Sequence, residues 1–330
     1  MWKITRLSLL SFCFVILFVN NTFAESWMKG KITFWSLDEN FRHSIYIMNS
    51  DGTEIVKLMD GDIPAVYTKF SLSPDCKKVA FQVFEWDGNV QIGSHVAVFD
   101  IYTNELTNLT NGKPLYCGEP RWSPDSKRLV FHGCNEFSPN YIYIINSDGT
   151  NLKEIVKGQT PDWSYDGQEI AFVYEKDIYV MNVNDKKTRK IMDEGLTFNH
   201  ILPMRWSPNS KKILFAAITP IGENKPAYTV DIYTVDSDGN NLQLIMKDVL
   251  SSSWCWSPDG QKIAIDAIID QNASNDKSRI WIMDSDGNNL QRLTNNNRRE
   301  CLIDWRDLSS VAVQPLKTIQ TTWAWIKQGR

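Results

Sequence analysis

A phrase of the form Trp-Ser-Pro-Asp-Gly, running into a short apolar stretch, returns along this chain. It reads "LSPDCKKVAF" from Leu72, "WSPDSKRLVF" from Trp122, "WSYDGQEIAF" from Trp163, "WSPNSKKILF" from Trp206 and "WSPDGQKIAI" from Trp256, with a degenerate copy, "WRDLSSVAV", from Trp305. A repeat of that period means a solenoid, propeller or array, and constrains the fold more than any other feature. Each phrase is followed by an alternating aromatic or β-branched run, such as "IYIIN" at Ile142 or "IWIMD" at Ile280, and then by a fourth run such as "LKEIV" at Leu152. Four short β-rich runs separated by turn residues make a four-stranded antiparallel sheet. "SPDG" joins the first two strands, and "SDG" at Ser50, Ser147, Ser237 and Ser285 joins the last two. Asp holds such a turn through its side chain, and Gly accepts its positive φ.

A small sheet cannot bury both faces alone, so neighbours stack face to face about an axis. The reading is an all-β, six-bladed β-propeller. Trp122, Trp163, Trp206, Trp256 and Trp305, on the innermost strands, are expected to fill the space between blades. The first unit starts at "KITFWS" (31–36) without a first strand, and "CLIDWRDLSSVAV" (301–313) supplies one. A composite N-/C-terminal blade should therefore close the ring. "SVAV" and "KITFWS" then compete for the place of its second strand.

"WSPDGQKIAI" followed by "IWIMDSDGNNLQRLT" resembles the repeat of the TolB-type β-propellers, over about residues 31–313. The resemblance implies a periplasmic propeller. TolB proper carries an α/β domain before its first blade, which this sequence is read as lacking. The propeller alone carries over, and the role of TolB proper in the Tol–Pal system does not.

The first residues differ from the rest. Lys3 and Arg6 precede the apolar run Leu7 to Val19, and Thr22 and Ala24 suit a signal peptidase. The run is short for a membrane span, which needs about 20 apolar residues, so residues 1–24 read as a cleaved secretory leader. The domain reading is leader 1–24, propeller 25–313, and a tail 314–330. In the tail Leu316, Ile319, Trp323 and Ile326 fall on one face of a candidate helix. The formal charge of −4 becomes more negative once Lys3 and Arg6 leave. Such a surface repels phosphate backbones and excludes nucleic acid as a natural partner. The mature chain is expected to be periplasmic or secreted, without a transmembrane segment, and monomeric.

Structural loops stay short and alike, whereas recognition loops vary. The connections between second and third strands are long and unalike, as in "FEWDGNVQIGSH" (84–95) and "AITPIGENKPAYT" (217–229). That rim is the expected binding face. Trp86, Phe137, Tyr228 and Trp254 are its aromatic candidates, either for recognition or for packing loops onto blades. Arg121, Asp162 and Arg205, one place before their anchors, and Asp304 further on either bind a polar ligand in the channel or pair between blades.

His43, His95, His132 and His200 also map to the long-loop rim. They come from different blades without common register, so they are weak metal candidates. "DSDGNN" at Asp236 and Asp284 lacks the ligands of a calcium loop. No metal or other cofactor is expected. Cys117 and Cys134, counted outwards from the hairpin between them, face each other and form a candidate disulfide in an oxidising compartment. No nucleophile elbow, phosphate loop or paired metal motif is present, and no catalytic residue is assigned. The expected function is a non-catalytic binding or scaffold module for a protein, peptide or glycan. The alternative is a metal-dependent lyase of the oligogalacturonate type, since such repeats also occur in those propellers.

Overall fold

The structure, a computed structural model, describes residues 30–37, 43–59, 70–88, 90–103, 105–135, 139–192, 198, 200–218, 229–269, 277–295 and 299–307. The expected leader, "SVAV" at 310–313 and the tail 314–330 lie outside the described residues. Those described form strands, turns and bends, with no helix.

The strands fall into four-stranded antiparallel units in chain order. Unit one holds β1 (Lys31–Leu37), β2 (His43–Asn49) and β3 (Val56–Met59). Unit two holds β4 (Phe70–Leu72), β5 (Lys78–Asp87), β6 (Val90–Asp100) and β7 (Leu106–Asn108). Unit three runs through β8 (Tyr116–Trp122), β9 (Arg128–Cys134), β10 (Tyr141–Asn146) and β11 (Lys153–Lys157). Unit four runs through β12 (Gln159–Trp163), β13 (Glu169–Tyr174), β14 (Asp177–Asn182) and β15 (Thr188–Lys190). In unit five the first strand is broken into β16 (His200–Ile201) and β17 (Arg205–Trp206), with Pro203 between them. β18 (Lys212–Ile218) and β19 (Val230–Asp236) follow. β20 (Gln243–Trp256) continues from the last strand of unit five into the first of unit six, so the two units share one eight-stranded path. β21 (Lys262–Ile268) and β22 (Arg279–Asp284) pair next to it, and β23 (Gln291–Arg292) ends unit six.

β24 (Glu300–Arg306) pairs with β1, placing Lys31 opposite Arg306 and Ile32 opposite Trp305. The two ends of the chain thus share one sheet in the order β24-β1-β2-β3. "KITFWS" is its second strand.

The repeated phrase builds the same turn in the five copies from Leu72 to Trp256. In unit three the Ser123 hydroxyl lies 2.5 Å from Asp125 Oδ1, which also accepts the Lys127 N–H at 3.0 Å. Ser123 Oγ in turn accepts the Arg128 N–H at 2.9 Å. Ser73 and Asp75, Ser164 and Asp166, and Ser257 and Asp259 repeat the arrangement, and Asn209 replaces Asp beside Ser207. These side chains satisfy the N–H groups of a hairpin too tight to pair them with backbone.

The "SDG" turns have a second task. A Cβ on Gly239 would lie 2.3 Å from the Ile191 carbonyl oxygen, and one on Gly287 2.5 Å from that of Ile245. Each of these glycines abuts the backbone of the preceding unit, and each has positive φ.

The core lies between units. Leu72 packs with Ile45 and Ile47 of unit one, Trp122 with Val96 and Val98 of unit two, and Trp163 with Val130 and Ile142 of unit three. Trp206 packs with Val173 and Val180 of unit four, and Trp256 with Leu214 and Ile232 of unit five. Trp305, Ile32 and Phe34 of unit one meet Ala264 and Ile280 of unit six, which brings the last unit against the first. All five Trp anchors are buried. Each such ring buries about 150–250 Å² of surface, or about 4–6 kcal/mol of apolar transfer. The neighbouring unit is therefore what stabilises each small sheet.

Candidate functional site

The first strands run into the Ser-Pro-Asp turns, so a residue one place before an anchor sits near the hairpin end of the axis. All six such residues, Ser71, Arg121, Asp162, Arg205, Cys255 and Asp304, line a single cavity of about 230 Å³. Its remaining wall comes from the anchors Trp122, Trp163, Trp206 and Trp256, from Pro74, Pro124 and Tyr165 at the turns, and from Arg306. Arg121, Asp162 and Arg205 thus line the channel at its hairpin end, away from the long-loop rim. The direction of the first strands is the reason.

Charge is unevenly settled here. Asp304 and Arg306 form a closed pair, with Arg306 Nε and Nη2 each 2.8 Å from Asp304 Oδ2. Arg306 Nη1 lies 3.3 Å from the Tyr165 hydroxyl. Burial opposes the charge of Arg306, but Asp304 and Tyr165 outweigh it, and its pKa is raised. Asp162 is buried, and its Oδ2 accepts the Trp206 N–H at 2.9 Å. Burial pushes its carboxyl up to about 7, against the pull of Arg121 and of that hydrogen bond. Arg121, 5% exposed, donates to the Phe70 carbonyl at 3.4 Å, and Arg205 donates to the Met204 carbonyl at 2.7 Å. Among the described residues neither guanidinium has a carboxylate within ion-pair distance. Cys255 is buried and its thiol is pushed well above the ordinary range by that burial.

At the other end of the molecule, β5 and β6 form a hairpin of 10 and 11 residues, against 7 or fewer for β9, β13, β18 and β21. Register carries to its tip, with Trp86 opposite Gln91 and Asp87 opposite Val90. Trp86, Val90 and Ile92 are 49%, 65% and 46% exposed.

The other rim candidates separate. Phe137 and Tyr228 lie outside the described residues. Trp254 is not a rim residue: it is 2% exposed, in the cluster of Trp256. Positions two apart on a strand share a face, so the burial of Trp256 entails that of Trp254.

His43 begins β2, but its side chain lies outside the described residues. His95 Nδ1 sits 3.0 Å from Glu85 Oε1, and burial lowers its pKa despite that carboxylate. His132 Nδ1 accepts the Thr160 N–H at 3.4 Å, and burial lowers its pKa too. His200 is exposed on β16. No group of three His, Cys, Asp or Glu residues suited to a metal ion occurs among the described residues.

The expected disulfide is corrected. Cys117 pairs with Gly133 and Cys134 with Tyr116, one step out of register, and both thiols are free. A β-bulge between Gly118 and Arg121, with Glu119 at φ 53°, inserts the extra residue that an even count from the hairpin misses. Sequence reasoning also missed Arg306. Its signal was the degenerate sixth phrase, in which Arg stands where the other copies have Ser.

Four-stranded sheets packed side by side, with their first strands around a common cavity, define a β-propeller. The chain belongs to the TolB-type β-propeller family: the family model described as TolB beta propeller domain matches residues 22–305. Among solved structures it is similar to TolB from Acinetobacter baumannii, with a TM-score of 0.60 at 17% identity, covering 84% of this chain and 65% of that one. A putative TolB from Agrobacterium tumefaciens gives a TM-score of 0.59 at 16% identity, covering 84% of this chain and 98% of that one. An oligogalacturonate lyase in complex with manganese gives 0.52 at 15% identity, covering 82% and 74%. Among curated proteins, dipeptidyl-peptidase 5 of Porphyromonas gingivalis is 30% identical over 33% of this chain, which spans 21% of that relative's length. Among the described residues no helix is long and apolar enough to cross a membrane.

Proposed function

We propose that this chain is an exported, non-catalytic binding propeller, periplasmic or secreted, that holds a protein, peptide or glycan partner through its long-loop rim. The observation that carries the reading is the projecting β5–β6 hairpin, on which Trp86, Val90 and Ile92 are all exposed. Apolar side chains on an extended hairpin are costly to leave in water and typical of interfaces, and Trp is enriched among residues that dominate binding energy. Membership of the TolB-type family supports the reading. The likeness to the lyase concerns the fold alone.

The test is capture of partners from an envelope fraction by the wild type and by Trp86→Ala, run beside an assay on acidic polysaccharides with divalent metal supplied. A partner retained by the wild type and lost by Trp86→Ala, with an unchanged melting temperature, supports the proposal. Equal retention by both proteins removes the rim hairpin from it. Metal-dependent depolymerisation by the wild type replaces it with the lyase reading.

A further inference from the structure

The axial cavity lies at the end of the molecule opposite the rim hairpin. In its lining the pair Asp304–Arg306 is closed on itself, while Arg121 and Arg205 have no carboxylate within ion-pair distance among the described residues. Arg121 is buried and Arg205 half-buried; a desolvated guanidinium without a counter-ion costs several kcal/mol, a cost that falls mainly on Arg121 and that an anion from solution offsets.

We propose that this cavity is a binding site for a single carboxylate group, carried by a small organic acid or by an acidic side chain, held between Arg121 and Arg205. The planar fork of each guanidinium matches a carboxylate through two parallel hydrogen bonds. Asp162, between them in chain order, receives the Trp206 N–H on Oδ2. In its protonated form it donates its proton towards the ligand. Charge selects against larger anions. With Asp162 protonated the lining carries Arg121, Arg205 and Arg306 against Asp304 alone, so a bound carboxylate leaves one positive charge over and ionised Asp162 takes its place when it leaves, whereas a phosphate dianion brings a second negative charge towards the Asp304 carboxylate. Size selects as well. A space of about 230 Å³ is below the roughly 300–1,000 Å³ of pockets that enclose a whole drug-sized ligand, so an oligosaccharide does not fit and one acid group with a short stem does. The indole and proline walls suit the apolar part of such a stem.

The groups facing Asp162 set the pH dependence: Arg121 on β8, Arg205 and the Trp206 amide on β17, Asp304 and Arg306 on β24, Tyr165 at the turn after β12, and Cys255 on β20. Ionised Asp162 competes with the ligand for the same guanidinium groups, so binding strengthens as pH falls from 8 to 6.

The experiment is isothermal titration of the purified chain with acetate and with glutarate in chloride buffers at pH 6 and pH 8, with inorganic phosphate and sulfate as comparison anions. Expected results are saturable one-to-one binding of the carboxylates, tighter at pH 6, and a loss of about 10–100-fold in Arg205→Gln, the worth of one charge-assisted hydrogen bond. Asp162→Asn is expected to bind more tightly than the wild type at pH 8 and to lose the pH dependence, a gain that misfolding does not imitate. Absence of saturation, unchanged affinity in Arg205→Gln, weaker binding in Asp162→Asn, or phosphate binding as tight as acetate would each overturn the assignment. Trp86→Ala leaves this binding unchanged, so the outcome is independent of the rim proposal.

Discussion

Asp162→Asn is also a sharp test of the energetics of the axial cavity. The carboxyl is buried and its pKa stands at about 7 in the folded chain, burial being the main cause. In the unfolded chain an Asp titrates near 3.9. Between these values the folded state holds a proton that the unfolded state has released, so stability falls as pH rises through the window and levels off above 7. About three pKa units at 1.36 kcal/mol each make a loss of about 4 kcal/mol across the whole window. About half of it falls between pH 5.5 and 8. The Asn amide oxygen still accepts the Trp206 N–H, so the substitution removes the titration and keeps the hydrogen bond. The stability advantage of Asp162→Asn over the wild type is therefore expected to widen by about 2 kcal/mol from pH 5.5 to pH 8, a few degrees of melting temperature for a chain of this size. Paired thermal melts at pH 5.5, 6.5, 7.5 and 8 read that difference, and other titrating groups cancel in it. A gap that stays constant, or narrows as pH rises, refutes the reasoning.

Two further outcomes follow from the packing. Gly239→Ala drives a Cβ to 2.3 Å from the Ile191 carbonyl at a φ of 94° and should cost about 2–4 kcal/mol in urea unfolding. Gly149→Ala, whose nearest neighbour lies at 3.6 Å, should cost only about 1 kcal/mol of backbone strain. Among the described thiols Cys134 is half-buried, whereas Cys76, Cys117, Cys255 and Cys301 are buried, and burial pushes Cys117 up to about 12. Alkylation followed by mass spectrometry should modify Cys134 first and the other four only on unfolding. Early modification of Cys255 would show that solvent reaches the axial cavity more freely than the structure implies.

Much of the architecture was legible because one phrase encodes one hairpin. Trp, Ser, Pro and Asp at fixed offsets specify an anchor, a hydroxyl, a fixed φ and a carboxylate acceptor, and the hairpin keeps its hydroxyl-to-acceptor bond in five copies even where Leu72 replaces Trp, Tyr165 replaces Pro or Asn209 replaces Asp. The composite unit was legible too, since "KITFWS" lacked a first strand and "CLIDW" a third and fourth, although "SVAV" left its second strand open. What periodicity does not carry is the local irregularity of the innermost strands. Besides the bulge near Glu119, register shifts occur between Gln159 and Asp162 and between Ser251 and Ser253. At the last of these the buried carboxylate of Asp266 accepts the Ser252 and Ser253 N–H groups at 2.8 Å each. A bulge needs no distinctive residue type on its own strand, because its partner can be a carboxylate some fourteen residues away. An even count along such a strand then misplaces whatever lies beyond.

The same irregularity explains why the charged ring is more than a by-product of the repeat. Between the bulges and the turns, each first strand returns to even register: Trp122 faces Leu129, Trp163 faces Ile170 and Trp256 faces Ile263. The last two positions of β4, β8, β12, β17 and β20 are thus one anchor between units and one residue on the axis, and in β24 the same two places, Asp304 and Trp305, are followed by Arg306. The anchor is Leu or Trp in every copy because it must fill the same gap. The axial position carries no such demand and differs freely, as Ser71, Arg121, Asp162, Arg205, Cys255 and Asp304. A repeat that is uniform where it packs and varied where it faces the cavity leaves the axis as the place where this chain's own chemistry is written.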